Sequence, residues 1–244
     1  MIDVLAPAKL TLTLRVTGVR PDGYHLIDAE MVSLDLADVL TIDPTRSGIS
    51  VGGPYAAGVP VDGSNLVARA LQLGGRPAAV HIDKRIPHGG GLGGGSADAA
   101  AVLRWAGFED LTAASRLGAD VPFCMVGGRA RVRGIGEIVE PTTFQPIDVT
   151  LVVPPLHVST PAVYRAWDDL GGPTADGPND LEPAALVVEP ELVRWRDRIA
   201  ATCGVTPVLA GSGATWFVPG RRDDALASLR GEGVAVVVAR TTPG

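Results

Sequence analysis

The sequence predicts an α+β protein of two lobes, residues 1–145 and 146–244. Three observations carry that expectation. The first half is rich in strand-like alternation, and the second half interleaves strand and helix patterns. Hydrophobic residues (46%) outweigh charged ones (20%), so the chain can bury a core.

The elements follow in order. Leu10, Leu12, Leu14 and Val16 alternate with Thr11, Thr13 and Arg15, which predicts a half-buried strand with its aliphatics on one face. Arg20-Pro21-Asp22-Gly23 supplies a turn, and a second extended region runs from Ile27 to Ile42. Residues 44–64 read as turns and short strands, and Asn65 to Leu73 as a helix. Val80 to Ile86 alternates again, with Lys84 expected on a solvent-facing side. After the glycine run 89–95, Ser96 is the expected N-cap of an Ala-rich helix from Ala97 to Trp105. A short helical piece near 112–118 leads into Ala119-Asp120-Val121-Pro122, and Arg129 to Val139 forms one or two strands.

Beyond residue 145 a strand (Val149 to Val153), a helix (Pro161 to Leu170) and a loop (171–180) are expected. One or two helices follow between Leu181 and Ala201. Strands at Pro207 to Ala210 and Ala214 to Val218 flank a Gly-rich turn. A helix from Arg222 to Arg230 and a buried strand from Val234 to Arg240 complete the second lobe.

Composition excludes several classes. The net charge of −6 argues against a general nucleic-acid binder. MIDVLAPAKL has no basic region followed by an apolar stretch, so a secretory signal is not expected. No apolar run approaches the roughly 20 residues of a membrane span. Cys124 and Cys203 read as two buried thiols of a cytoplasmic protein. His81, His88 and His157 have no metal-ligand spacing, so no metal site is assigned to side chains. Of the 21 basic residues only Lys9 and Lys84 are lysines, so each needs its own explanation where arginine otherwise carries the charge.

Gly89-Gly90-Gly91-Leu92-Gly93-Gly94-Gly95 is the strongest local signal. Following a strand and opening a helix, such a run turns N–H groups toward a ligand at a partly positive helix end, which suits a phosphate. A flexible turn would also use glycine, but six in seven positions cost much folding entropy for a mere turn. No Gly-Lys-Ser/Thr ends the loop, so a Walker A site is not expected. Asp83, Lys84 and Arg85 spoil the buried strand that a dinucleotide fold needs before its glycines.

Three blocks together resemble the GHMP small-molecule kinases: Pro7-Ala8-Lys9-Leu10, the run from Ile86 through Ala100, and Ala210-Gly211-Ser212-Gly213-Ala214. Further likeness lies in Arg20 to His25, Gly118 to Pro122, Thr160 to Tyr164 and Asn179 to Glu182. The last four are similar to the branch that phosphorylates a cytidine-diphosphate-linked methylerythritol in non-mevalonate isoprenoid synthesis.

The resemblance implies the two-domain GHMP kinase fold. Its N-terminal lobe is ribosomal protein S5 domain 2-like and its C-terminal lobe ferredoxin-like. ATP with Mg²⁺, a small-molecule alcohol as partner, and a monomer or homodimer are also implied. Pro87, Gly89, Gly90, Gly91, Leu92, Gly93, Gly94, Gly95 and Ser96 would hold the ATP phosphates.

Asp120 would be the base and Lys9 its electrostatic partner. Without the resemblance, Asp120 reads as a helix-flanking cap and Lys9 as a solvated strand-end cation. Tyr24, His25 and Tyr164 would hold a pyrimidine, and Gly211, Ser212 and Gly213 would approach the transferred phosphate or the substrate diphosphate. Thr11 stands where the family usually has Asn, and the connection 105–117 is short for the family. Asn65 and the loop before it are candidates for the adenine side. Another small alcohol as substrate, or a nucleotide sensor without catalysis, are the alternative functions.

Overall fold

The computed structural model describes residues 1–87 and 89–244; His88, which carries no assigned role, lies outside the described residues. Two long strands organise the first half. β1 (Ile2–Val19) and β2 (His25–Asp43) pair antiparallel from Ile2 opposite Ile42 to Val19 opposite His25. The predicted turn between them is closed by Gly23 N–H donating to the Arg20 carbonyl at 2.9 Å. The other edge of β2 is shared in succession by three partners, since 19 residues outreach an ordinary strand. These are β5 (Arg129–Gly134) at residues 27–32, β10 (Ala235–Thr242) at 33–34 and β4 (Ala79–Asp83) at 39–43.

β1 corrects the simple alternation. Thr11 pairs with Met31 but Thr13 pairs with Glu30, so the register slips at Leu12. An extra residue reverses the inward face. Leu10 and Leu12 pack with the cluster of Ala8, Leu34, Leu151 and Phe217, while Leu14 and Val16 pack with the cluster of Ile27, Ala100 and Phe123. The four aliphatics therefore do not share one face.

β3 (Gly48–Gly52) runs parallel to β4, and β6 (Ile138–Pro141) closes a hairpin on β5. Helices α1 (Leu66–Leu73), α2 (Gly94–Ala106), α3 (Leu111–Ser115) and α4 (Val121–Val126) belong to this half. Seven consecutive residues of α2, Ala97 to Leu103, are buried, and its small alanines fit a helix packed on several sides. The short 105–117 connection works because Gly107 ends α2 in a left-handed turn and the Asp110 carboxylate caps α3 by accepting from Ala113 N–H at 2.9 Å.

In the second half, β7 (Asp148–Val153) lies between β10 and β9 (Trp216–Pro219), with β8 (Val208–Leu209) outside β9. α5 (Thr160–Asp169), α6 (Glu182–Val188) and α7 (Glu191–Cys203) bury Val163, Trp167, Ala184, Leu192, Trp195 and Ile199. The end of β10 joins Thr241 to Leu34 and Thr242 to Ser33, so one 10-stranded sheet runs through the chain. Residues 222–230 do not form the expected α-helix. Only a short 3₁₀ segment (Ala227–Glu232) appears, as a glycine-punctuated stretch too short to sustain an α-helix. Among the described residues no helix is long and apolar enough to cross a membrane.

Candidate active site

The three blocks, distant in sequence, meet in space. Gly91 has φ +75°, and a Cβ there would stand 2.7 Å from the Ala210 carbonyl oxygen and 3.0 Å from that of Gly213. Only glycine combines that backbone with that approach. At Gly93, φ +69°, a Cβ would meet Lys9 Cγ at 2.8 Å, so the stem of Lys9 lies across the loop. Lys9 N–H also donates to the Leu92 carbonyl at 3.0 Å, and Thr215 N–H donates to the Gly90 carbonyl at 3.3 Å.

α2 starts earlier than expected. Gly93 is its N-cap, in the left-handed region, and Ser96 sits inside the first turn instead of capping it. Two further glycines thus enter the helix, because the loop must stay low against Lys9. The first turn carries no acidic side chain, which leaves the positive end of the helix dipole uncompensated.

Lys9 is 4% exposed, and its Nζ lies 3.3 Å from Asp120 Oδ2. Asp120 occupies the N-cap position of α4 but makes no capping bond. Its side chain, 30% exposed, is turned to Lys9 and to the open side. Thr11, at the position where the family usually has Asn, accepts a hydrogen bond from Lys9 Nζ at 3.2 Å. A Cβ on Gly211 would stand 3.7 Å from Lys9 Nζ and 3.8 Å from Thr11 Oγ1, so the block 210–214 closes over this pair. Cys124, one turn along α4, is buried, and burial, then the Asp120 charge, push its thiol up to about 12. Such a thiol stays protonated. Cys203 is only half-buried, unlike the expectation of two buried thiols.

A cavity of about 490 Å³ is lined by the residues that lead into Asp120. Gly118 and Ala119, the two residues before Asp120, form one wall, and Tyr24, His25, Thr160 and Tyr164 form another. The three predicted ring-holding residues thus share one cavity, although Tyr24 is 60% exposed. The Tyr164 ring lies 4.6 Å from the His25 ring. Burial, then the Asp120 charge, raise the Tyr164 phenol above its ordinary range. Ser212 Oγ and Thr160 Oγ1 are 2.7 Å apart, which ties the Gly211–Gly213 loop to the cavity wall.

Lys84 overturns its sequence reading. It is 3% exposed, not solvent-facing. Its ammonium donates to Asp98 Oδ2 at 2.6 Å and to Asp38 Oδ2. Its charge suggested solvent, but Lys84 shares the parity of Val80, Ile82 and Ile86, all buried, so the alternation itself carries it inward. Asp38 Oδ1 accepts from the N–H groups of Arg85 (2.5 Å) and Ile86 (2.8 Å), which pins the approach to the glycine loop. A Cβ on Gly94 would stand 3.3 Å from Lys84 Nζ, so this buried triad underlies the start of α2. Burial alone would lower the Lys84 pKa, but the two carboxylates outweigh it and hold it raised. Burial raises Asp98 to about 7 despite Lys84, and Asp98 Oδ1 is buried without a partner among the described residues.

Sequence reasoning missed other contributors. Asn179 donates to the carbonyls of Leu209 (2.8 Å) and Gly211 (2.7 Å), holding the block 210–214 in place. Asp180 accepts from Val16 N–H at 3.0 Å and from Arg15 at 2.7 Å. The Asn179-Asp180 likeness was the available signal, without a role attached. Asp168 accepts or shares a 2.8 Å hydrogen bond with His25 Nε2, and nothing in the sequence near it pointed there. Asn65 spends its side chain locally, accepting from Val67 N–H at 2.8 Å and donating to the Pro60 carbonyl at 2.6 Å. Its Oδ1 caps α1, and its amide nitrogen ties the preceding loop to the helix start.

Residues 64–128 match the family model of the GHMP kinases N terminal domain. A 4-diphosphocytidyl-2-C-methyl-D-erythritol kinase of Paracoccus denitrificans is 41% identical over 235 residues, covering 87% of this chain and 84% of the relative. One of Cereibacter sphaeroides is 41% identical over 246 residues, covering 89% and 88%. A crystal structure of 4-(cytidine 5'-diphospho)-2C-methyl-D-erythritol kinase superposes with a TM-score of 0.81 at 35% identity over 100% of both chains. Mevalonate kinase of L. major, solved with R-mevalonate, shares the fold at a TM-score of 0.66 and 14% identity, covering 100% and 97%. Shared sequence over most of the chain and a shared architecture lead to one conclusion: this chain belongs to the 4-diphosphocytidyl-2-C-methyl-D-erythritol kinase family of the GHMP kinases.

Proposed function

We propose that this chain transfers the γ-phosphate of ATP to the 2-hydroxyl of 4-diphosphocytidyl-2-C-methyl-D-erythritol, giving the 2-phosphate and ADP. The observation that carries this reading is the Lys9–Asp120 pair, 3.3 Å apart, with the Lys9 stem against Gly93 of the glycine loop and Gly118 and Ala119, just before Asp120, lining the cavity of Tyr24, His25 and Tyr164.

Phosphoryl transfer requires positioning and charge compensation more than covalent chemistry. Residues 89–96 line the triphosphate with N–H groups, and the N-terminus of α2 adds partial positive charge. Asp120 accepts the proton of the attacking hydroxyl as the new O–P bond forms and the bond to the β-phosphate oxygen breaks. Lys9 stabilises charge on the attacking oxygen. Thr11 and the loop at Gly211 hold the ammonium at that spot. Pro87 leads into the loop, and Ser212 and Gly213 stand beside the substrate phosphates.

Mg²⁺ would arrive on the triphosphate and neutralise charge on its oxygens. The half-buried hydroxyl of Ser96 is the hard oxygen donor at that end of α2 that would share it, with phosphate and water completing the shell. In this reading residues 1–145 supply the ATP loop and the Lys9–Asp120 pair. Residues 146–244 supply Tyr164 and the Gly211–Gly213 loop, and the enzyme works in the cytoplasm.

The test is ADP release with Mg-ATP and each of three alcohols: the cytidine-linked substrate, mevalonate and homoserine. Turnover confined to the first is expected, and Asp120→Asn lowers it by roughly 10²–10⁴-fold. Near-normal turnover in that variant refutes the base assignment.

A further inference from the structure

We propose that Asp168 is a positioning residue that sets the proton on His25 and so makes the cavity select a base with an exocyclic amino group. The proposal rests on the cytidine-linked substrate argued above. His25 opens β2 and Asp168 lies near the end of α5, 143 positions away in the chain, yet His25 Nε2 and Asp168 Oδ1 are 2.8 Å apart. The imidazole is held on two sides. Tyr164 packs on it at 4.6 Å with a 33° tilt, and Trp167 meets it edge-on at 5.6 Å and 84°. Trp167 is itself fixed by donating Nε1–H to the Pro173 carbonyl at 3.0 Å. The His25 side chain is 10% exposed, so this clamp leaves the ring little freedom to turn.

An ionised carboxylate only accepts hydrogen bonds. A neutral His25 bonded to it must therefore carry its hydrogen on Nε2, which leaves a lone pair on Nδ1. Nδ1 has no partner among the described residues, and His25 lines the cavity together with Tyr24. A lone pair there pairs with an N–H donor and repels a carbonyl oxygen. Cytosine bears an amino group where uracil bears a carbonyl, so the tautomer that Asp168 imposes favours the first over the second. Asparagine at 168 would remove this imposition, because its amide can donate to Nε2 and leave the hydrogen on Nδ1.

The test compares Asp168→Asn and Asp168→Glu with the unaltered protein, using the cytidine-linked alcohol and its uridine-linked counterpart. In Asp168→Asn, kcat/KM for the cytidine substrate is expected to fall roughly 10–100-fold, mainly through KM, and the preference over uridine to shrink by a similar factor. Asp168→Glu restores much of the preference. ¹⁵N spectra at about pH 8.5, where a free imidazole is neutral, should show the His25 hydrogen on Nε2, assigned by its loss in His25→Gln. An unchanged preference in Asp168→Asn, or a hydrogen on Nδ1 in the unaltered protein, overturns the role of Asp168. The spectra need no turnover and no variant at 168. Absence of turnover on the cytidine-linked alcohol, by contrast, overturns the substrate reading and the base selection with it.

Discussion

Replacing Lys84 by Met removes one charge and keeps most of an unbranched stem. What remains is two buried carboxylates, Asp38 at 0% and Asp98 at 3% exposure, that have lost their common cation. Asp98 loses the partner of its Oδ2, bonded at 2.6 Å, while its Oδ1 already has none among the described residues. Asp38 keeps the Arg85 and Ile86 N–H groups, so Asp98 suffers most. Uptake of a proton by Asp98 limits the damage but does not replace the lost bonds. Breaking a buried ion pair from one side costs about 3–5 kcal/mol, a large share of the roughly 5–15 kcal/mol by which folded domains are stable.

At about 2–4 °C per kcal/mol for a chain of this size, Lys84→Met should lower Tm by roughly 6–20 °C. Circular dichroism melts and urea titrations measure it. Because the triad underlies the start of α2, KM for ATP should also rise in the variant at a temperature where it stays folded. Adding Asp98→Asn to Lys84→Met should recover part of the loss, since no second buried charge is then stranded. A Tm within about 4 °C of the unaltered protein would refute the buried-triad argument.

Two further outcomes follow from the same residues. Burial raises Asp98 from 3.8 to about 7, so between those values the folded state binds more protons than the unfolded state. Its contribution is present at low pH and lost as pH rises through about 7. The urea midpoint should therefore fall between about pH 4 and pH 7, and Asp98→Asn should flatten that slope; equal slopes would argue against it. Lys9→Arg keeps the charge but must fit a planar fork where Gly93 approaches the stem and Gly211 approaches the ammonium. Turnover should drop by about 10²-fold, in the range of a lost electrostatic donor, with steady-state ADP release as the readout. Activity within a few-fold of the original would show that the space is not limiting.

Much of the strand and helix order was legible because amphipathic alternation and turn residues are local. The limits are instructive. The slip at Leu12 was invisible, since a bulge leaves the alternation of residue types intact while changing which face they occupy. Ser96 looked like a cap by type, yet the demands of packing Lys9 against Gly93 moved the helix start to Gly94. The stretch 222–230 had helix-forming residues but too little length to hold an α-helix by itself.

By itself, the sequence determined the glycine-rich loop and the family, because each rests on residue types in short contiguous motifs. The pairing of Lys9 with Asp120 was implied only by the resemblance and is a contact of the fold. The scarcity of lysine was also a sound pointer. Both lysines are buried against aspartates, and no arginine appears among the buried polar residues. Only the tertiary structure decided that Lys84 joins Asp38 and Asp98, that Asn179 holds the loop at Gly211, and that Asp168 reaches His25. These contacts join segments from 14 to 143 residues apart. Their partners are chosen by where the folded sheet and helices bring side chains, and no local period in the chain records that choice.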